Sequence, residues 1–598
     1  MKKRKIIEGT VIRRDFPNKG IVGNLIRIDE NAEDNNTDKN SSVINNRNNT
    51  ISDGKVDAEE IVQNSTVVEG TCIIKNTLPG QRVRGIVKRS GKNRLEARLL
   101  EVVQDAPDAI ESPCPHFGIC GSCHYLTMTY EKELALKEEQ VKSLLYDAFK
   151  RQDKEPIWDG IKKSPIRFEY RNKMEFSFGD EIKGGPLTLG MHKRGSMHDI
   201  VTVSDCQIID RDYRIILKCV LDYFTNVDPA SFYHTMQREG YLRHLLVRKG
   251  RKTGQILVDL ITTTKEQHNL DPLKDALLSL DLEGEIVGFL HTHNDSLSDA
   301  VVDEGTDIIY GQNHFTEELL GIEFDITPFS FFQTNSLSAE VLYDTVRDYV
   351  REGMKSQGRD KAHILYDLYC GTGTISQLMS PVADKVIGVE IVEEAVEAAR
   401  INAKRNNVNN CEFIAGDVLK VLDEIKERPD YIILDPPRDG INPKALKKII
   451  EYGVKNMVYV SCKPTSLQRD LVMLQAAGYV IERACAVNQF PCTTHVETVC
   501  LLSKLHEAKH HINVKVDMDE LDLTSAEAKA TYKEIEEWVQ EHYGFHVTNL
   551  NIAQVKQKHG IIERENYNKP KSEDSRQPGT TPEKEKAITE AFKYFKMI

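Results

Sequence analysis

From about Leu337 onward the chain repeats one unit, a short β-branched run that ends in a turn and leads into a helical stretch, and this repeat restricts the fold more than any other feature. Strands are expected at 364–366, 385–389, 412–414, 431–434 and 457–460, with a helix over 393–403. Such alternation builds a doubly wound, mostly parallel sheet whose ligands sit in the crevice beyond the carboxyl ends of its strands. The first strand runs into Cys370-Gly371-Thr372-Gly373, where glycines let the backbone approach a ligand. The second ends at Glu390, an acid placed to take both ribose hydroxyls of a nucleoside. A dinucleotide fingerprint would carry a third glycine. Its absence favours S-adenosylmethionine over NAD, because that cofactor has no pyrophosphate to seat on a helix terminus.

Within the same repeat, Val458-Tyr459-Val460-Ser461-Cys462-Lys463-Pro464 reads as a buried strand stopping at a polar turn, so Cys462 lies just past the strand end, beside the crevice. A single cysteine is ordinarily a buried structural residue. Lys463 is adjacent in sequence and is a candidate cation for favouring its thiolate. Leu434-Asp435-Pro436-Pro437-Arg438-Asp439-Gly440 brings an acid to the end of the preceding strand, and His495-Val496-Glu497-Thr498-Val499 supplies a carboxylate. Upstream, Pro328-Phe329-Ser330-Phe331-Phe332-Gln333-Thr334-Asn335 mixes aromatics with polar groups, as a ligand wall or a packed hinge would.

The 598 residues are too many for one core. We expect a multidomain chain: a small five-stranded, OB-like barrel over 1–106 with a disordered Asn- and Asp-rich insertion at about 30–60, an α+β domain over 107–330, the doubly wound α/β domain over 331–504, and a helical extension over 505–598. Seven cations fall between Arg82 and Arg98 against the single acid Glu96, either a face that tracks a phosphate backbone or a solvated charged strand. Residues 131–149 predict an amphipathic surface helix that only packs. Arg171, Lys173, His192, Lys193, Arg194 and Arg243 are candidate RNA contacts. In the extension, stretches at 525–543 and 551–559 broken at Gly544 suggest helix-turn-helix, followed by a linker at 569–583.

Cys114, Cys120 and Cys123 have ligand spacing, and Cys206 is the nearest downstream candidate for a fourth thiolate. Zinc and iron–sulfur clusters both take four thiolates; a three-plus-one arrangement inclines the reading towards a [4Fe-4S] cluster. Twelve unevenly spaced cysteines suit a reducing compartment, and the apolar runs are too short to cross a bilayer, so a cytoplasmic protein without membrane contact is expected. A net charge of −13 argues against nonspecific coating of nucleic acid but allows a local basic patch.

Taken together and in this order, the four motif stretches around Cys370, Asp435, Cys462 and Glu497 resemble the RNA (uracil-5-)-methyltransferase family. The cysteine cluster and a preceding TRAM-type barrel make the chain similar to the 23S ribosomal RNA branch, over the N-terminus to about Lys504. The resemblance implies S-adenosylmethionine-dependent methylation of uracil C5, with Cys462 as nucleophile and Glu497 as general base. It places cofactor contacts on Gln333, Tyr369, Glu390 and Asp435, with Asp417 and Thr374 nearby, and cluster ligands on Cys114, Cys120, Cys123 and Cys206. The implied partner is RNA, with no obligate protein partner. The rival readings are a tRNA enzyme, which stands second because that branch normally lacks barrel and cluster, and a noncatalytic RNA-binding protein on the same scaffold.

Overall fold

The computed structural model describes residues 5–28, 65–68, 70–90, 95–425, 427–504, 532–543, 545–558 and 580–594. The expected insertion at about 30–60, the break at Gly544 and most of the expected linker fall outside the described residues. The first sheet comprises β1 (Ile6–Asp15), β2 (Lys19–Ile28), β3 (Ser65–Val68), β4 (Cys72–Lys75), β5 (Arg82–Ser90) and β6 (Leu95–Gln104). Pairing runs β1-β5-β6-β4-β2, and β1 pairs again with β2, so five strands close into a barrel while β3 extends from β2. Alternation along the strands fills its interior with Ile7, Val11, Val22, Leu25, Ile74 and Val83. The basic stretch is partly neutralised: Arg82 and Arg84 both pair with buried Glu8, and Arg84 also with Glu101.

Thr129 starts α1 (Tyr130–Lys150), its hydroxyl accepting the Lys132 N–H. This is more than a surface helix. Val141, Leu145 and Ala148 enter a core, and Glu133 and Lys137 are fully buried. After β7 (Ile157–Lys162) come β8 (Lys173–Asp180), β9 (Leu187–His192), β10 (Ile200–Thr202), α2 (Arg211–Asp222), β11 (Leu242–Lys249), β12 (Gln255–Thr262), α3 (Asp271–Leu278), β13 (Glu285–His293) and β14 (Thr306–Gly311). These strands form a seven-stranded sheet, β10-β9-β8-β11-β12-β13-β14, antiparallel except at β12–β13, which α3 connects in parallel. Two of its candidate RNA contacts hold main chain. Buried Arg243 donates to the Asn294 and Ser296 carbonyls at 2.7 and 2.8 Å, and Arg194 to that of Cys123 at 2.6 Å.

A hairpin of β15 (Phe315–Leu319) and β16 (Ile322–Ile326) leads to α4 (Ser336–Ser356), capped by Asn335. There follow β17 (Ala362–Leu368), α5 (Thr374–Leu378), β18 (Ala383–Glu390), α6 (Glu393–Arg405), β19 (Cys411–Ala415), α7 (Val418–Glu424), β20 (Tyr431–Leu434), α8 (Pro443–Tyr452), β21 (Asn456–Ser461), α9 (Pro464–Ala476), β22 (Tyr479–Val487) and β23 (Glu497–Lys504). The third sheet is ordered β19-β18-β17-β20-β21-β23-β22-β7. Its first five strands are parallel, β23 is antiparallel to both neighbours, and β7 arrives from far upstream to pair with β22. Helices cover both faces, which is why β20 and β21 read as unbroken apolar runs and not as alternation.

Ile512–Ile598 is a separate compact unit. Its α10 (Tyr532–Tyr543), α11 (Asn549–Lys558) and α12 (Pro582–Tyr594) enclose Ile535, Val539, Ile552, Val555, Ile588 and Phe592. Among the described residues no helix is long and apolar enough to cross a membrane.

Candidate active site

Because β23 runs against its neighbours, it begins at the edge where the parallel strands end. Ser461 pairs with Thr498, which sets Glu497 opposite Cys462. Leu368 pairs with Val389 and Leu434, and Leu434 with Tyr459, so Tyr369, Glu390 and Asp435 continue along the same edge. Ser461 closes the turn after β21 by accepting the Lys463 N–H (3.3 Å), and Pro464 opens α9 at its first position. Cys462 is thereby held, half-buried, between a strand end and a helix start.

Burial, then the charges of Glu497 and Asp435, push the Cys462 thiol up to about 12, with Arg438 pulling it down. Glu497, 2% exposed, is pushed up to about 8 by burial and by Asp435, again opposed by Arg438. Asp435 rises to about 7 through burial and the charge of Asp367. Three weak acids and one cation therefore share the crevice, and each acid keeps its proton better than it would in water. The expected cation, Lys463, is turned away, its Nζ lying 3.4 Å from Asp439 Oδ1. Arg438 takes that place. Two prolines carry it off the end of β20, and the turn closes at Gly440 (φ +79°), where a Cβ would meet Arg469 Nη2 at 2.6 Å.

Arg438 also donates Nη2–H to His495 Nδ1 at 3.2 Å. Burial and that guanidinium pull His495 down to about 4, so it is neutral and its proton sits on Nε2. Neither Arg438 nor His495 carries a role in the sequence reading, although both stand inside its motif stretches; only the fold shows that these stretches meet.

The glycine loop is geometrically forced. Gly373 adopts φ +74°, and a Cβ there would stand 2.6 Å from Phe413 and 2.8 Å from Ala399. Thr374 follows as the first residue of α5. Glu390 Oε2 accepts the Gly371 N–H (3.1 Å), while Oε1 accepts those of Ile391 and Val392 (2.8 and 3.1 Å). Pinned in this way, the carboxylate still has lone pairs to offer. Tyr369, in the left-handed region at φ 72°, is pushed up to about 12 by burial and by Asp417, so those two expected neighbours do approach. Asp417 itself caps α7, accepting the Leu419 N–H at 2.7 Å. Gln333 is buried near Tyr343, whose hydroxyl burial and the charges of Asp435 and Glu497 push well above its usual range. Buried Asp367 accepts a 2.6 Å bond from Ser376 on one oxygen, and its Oδ1 has no hydrogen-bond partner among the described residues.

Cys114, Cys120, Cys123 and Cys206 line one cavity with His116 and Met174. Tight turns from Cys114 to Phe117 (3.1 Å) and His116 to Cys120 (2.9 Å) fold the three-cysteine loop back on itself. Among the described residues no three of these sulfurs lie within 4.8 Å of one another.

Residues 322–505 match the family model described as tRNA (uracil-5-)-methyltransferase, a span that includes Gln333, Cys462 and Glu497. An RNA methyltransferase of Clostridium tetani, described as uncharacterized, is 48% identical over 71% of this chain and 91% of its own length; another from Clostridium acetobutylicum is also 48% identical, over 72% and 92%. The chain belongs to the RNA (uracil-5-)-methyltransferase family. Similarity of this RNA methyltransferase to its relatives reaches well beyond the third sheet. A solved Pyrococcus abyssi tRNA (uracil-54, C5)-methyltransferase, in complex with S-adenosyl-L-homocysteine, aligns with 73% of this chain and 96% of its own at 25% identity and a TM-score of 0.56.

Proposed function

We propose that this RNA methyltransferase moves the methyl group of S-adenosylmethionine to C5 of a uracil in 23S ribosomal RNA, through a covalent bond between Cys462 and C6. The observation that carries the reading is the antiparallel register that faces Glu497 to Cys462 at the carboxyl edge of the sheet. A sulfonium methyl is already activated; uracil C5 is the poor nucleophile. The Cys462 thiolate adds to C6, and the pair of electrons displaced onto C5 and O4 makes C5 an enolate carbon. That carbon takes the methyl group, with the sulfonium electrons returning to sulfur. Glu497 then removes the C5 proton, the C5=C6 bond re-forms, and the thiolate leaves. The target base must be out of its stack for C6 to be reached. Gln333, Tyr369, Glu390 and Asp435 hold the cofactor, Glu390 at the ribose hydroxyls, with Asp417 and Thr374 beside them.

Cys114, Cys120, Cys123 and Cys206 hold a [4Fe-4S] cluster in the same reading. Tetrahedral zinc would draw four thiolates to about 3.8 Å apart, from Zn–S bonds of about 2.3 Å. The wider spread of these sulfurs around a common cavity suits a polynuclear group. Cys206→Ser is expected to bleach the brown absorbance of anaerobically purified protein; full absorbance with stoichiometric iron in that variant rejects Cys206 as the fourth ligand.

A tRNA substrate is the second reading, and one finding favours it. The solved tRNA enzyme follows this chain over 96% of its length, so the parts outside the third sheet do not select ribosomal RNA by themselves. Methyl-labelled S-adenosylmethionine, incubated with unmodified 23S ribosomal RNA and with tRNA in parallel and followed by nucleoside analysis, separates the two. Label in 5-methyluridine from ribosomal RNA alone is the expected result. Label from tRNA alone moves the substrate to the second reading, and no label in either from cluster-loaded protein overturns both.

A further inference from the structure

The connection between β22 and β23 contains no residue used by the chemistry, yet buried groups from three parts of the chain hold it. Lys137, fully buried on α1, places its three donors on Asn488 Oδ1 (2.6 Å), the Phe490 carbonyl (3.1 Å) and Glu133 Oε1 (3.0 Å). Glu133, equally buried, accepts the Cys492 N–H at 2.7 Å. Arg167 Nη2 approaches its other oxygen at 3.4 Å. Asn335, the cap of α4, exchanges two bonds with Gln489, donating to its carbonyl (2.9 Å) and accepting from its Nε2 (3.0 Å). The Cys492 carbonyl takes the His124 N–H at 2.8 Å, directly after the cysteine loop. Cys492 itself is kept in the left-handed region at φ 67°, a conformation that persists only where its surroundings enforce it.

An ion pair with no access to water is a costly way to fill space. Apolar residues of the same volume are often as stabilising or more so, since neither charge then has to leave water. What the pair supplies that leucines would not is a set of directed bonds. Those bonds end on residues 488–492, and the chain then runs through His495, which faces Arg438, to Glu497, which faces Cys462. We propose that Glu133 and Lys137 are positioning residues for proton removal: from α1 they lock the 488–492 connection and so fix where the Glu497 carboxylate stands against Cys462. The proposal rests on the roles given above to Cys462 and Glu497.

The test uses full-length, cluster-loaded protein and whichever RNA accepts label, and follows two rates: formation of the covalent protein–RNA adduct and its resolution. Glu133→Gln with Lys137→Met removes both charges at nearly constant volume. It leaves an acceptor for the Cys492 N–H but none of Lys137's donors. In that double variant, adduct formation and affinity for S-adenosylhomocysteine are expected within about threefold of wild type, with resolution slowed by about tenfold or more, because small misplacements of a reacting group are expensive. Asn488→Ala cuts the same link from the loop side with the ion pair intact, and is expected to show the same split more weakly; it carries the test if the double variant does not fold. Resolution at the wild-type rate in the folded variant, or equal losses in both rates together with a lowered melting temperature, overturns the proposal. Glu497→Gln serves as control. If that protein fails to accumulate adduct, the functional reading of Glu497 falls and the clamp's catalytic role with it, whereas accumulation there without slowing in the clamp variants overturns the clamp alone.

Discussion

Replacing Cys462 with alanine is expected to lower methyl transfer by about 10⁴-fold or more, with binding of S-adenosylhomocysteine and thermal stability close to wild type. The size of the loss follows from the role proposed for the thiol. Without addition at C6, nothing in the crevice raises electron density at C5, and approximating an RNA base to an activated methyl group does not by itself make C5 a nucleophile. The fold survives because Cys462 is only half-buried and contributes little to any core. Its activation is the less obvious part. At about 12 the resting thiol is almost wholly protonated, so the proton must pass to a neighbour as the base enters. Asp435, at about 7, is the carboxyl still partly ionised at neutral pH, while Arg438 and the start of α9 favour the thiolate that results. Single-turnover transfer from labelled S-adenosylmethionine measures the effect. A rate within tenfold of wild type removes the covalent route.

Much of this site is legible in the sequence because its information is local. A parallel strand buried on both faces is a run of apolar residues, and the turn after it is where the ligand sits, so the order of residues alone places Tyr369, Glu390, Asp435 and Cys462 at strand ends. The same locality explains the failures. Lys463 neighbours Cys462 in sequence but points to Asp439, since a residue at a helix cap directs its side chain by the turn it occupies; Arg438, remote in sequence, is brought in by the doubled proline. The partnership of Glu497 with Cys462 depends on β23 running antiparallel, a property of register that periodicity does not encode. In α1, Glu133 and Lys137 read as solvated charges on an amphipathic helix, and the groups packed against them come from elsewhere in the chain, among them a loop arriving from more than three hundred residues downstream. Strand β7 is likewise illegible as a member of the third sheet, because its partner β22 lies more than three hundred residues further along the chain.

Glu497→Gln is expected to arrest the reaction one step later than Cys462→Ala, and the pH dependence of wild type identifies the step. The variant still forms the bond from Cys462 to C6 and still receives the methyl group, but lacks a base for the C5 proton, so a covalent protein–RNA species survives on denaturing gels and turnover falls by about 10² to 10⁴-fold. In wild type the carboxyl, pushed from 4.5 up to about 8, is mostly protonated at neutral pH. A base must be ionised to act, so resolution of the wild-type adduct is expected to rise with pH and level off above about 8, a rise the glutamine protein does not share. Stability moves the opposite way. Between pH 4.5 and 8 the folded chain keeps a proton on Glu497 that the unfolded chain has released; fewer protons bound on unfolding means that stability falls as pH rises through this window. Glutamine carries no such proton, so its melting temperature relative to wild type should be higher at pH 9 than at pH 5. Expressed as stability, the difference reaches up to a few kcal/mol, because a carboxyl that holds its proton one pH unit higher in the folded chain gives up about 1.4 kcal/mol when it ionises. Burial beside Asp435 gives Glu497 the raised proton affinity that the proposed role would use. Equal pH profiles for adduct resolution in the two proteins would assign the base to another residue, whereas a melting difference that does not change with pH would show that folding does not raise the Glu497 carboxyl.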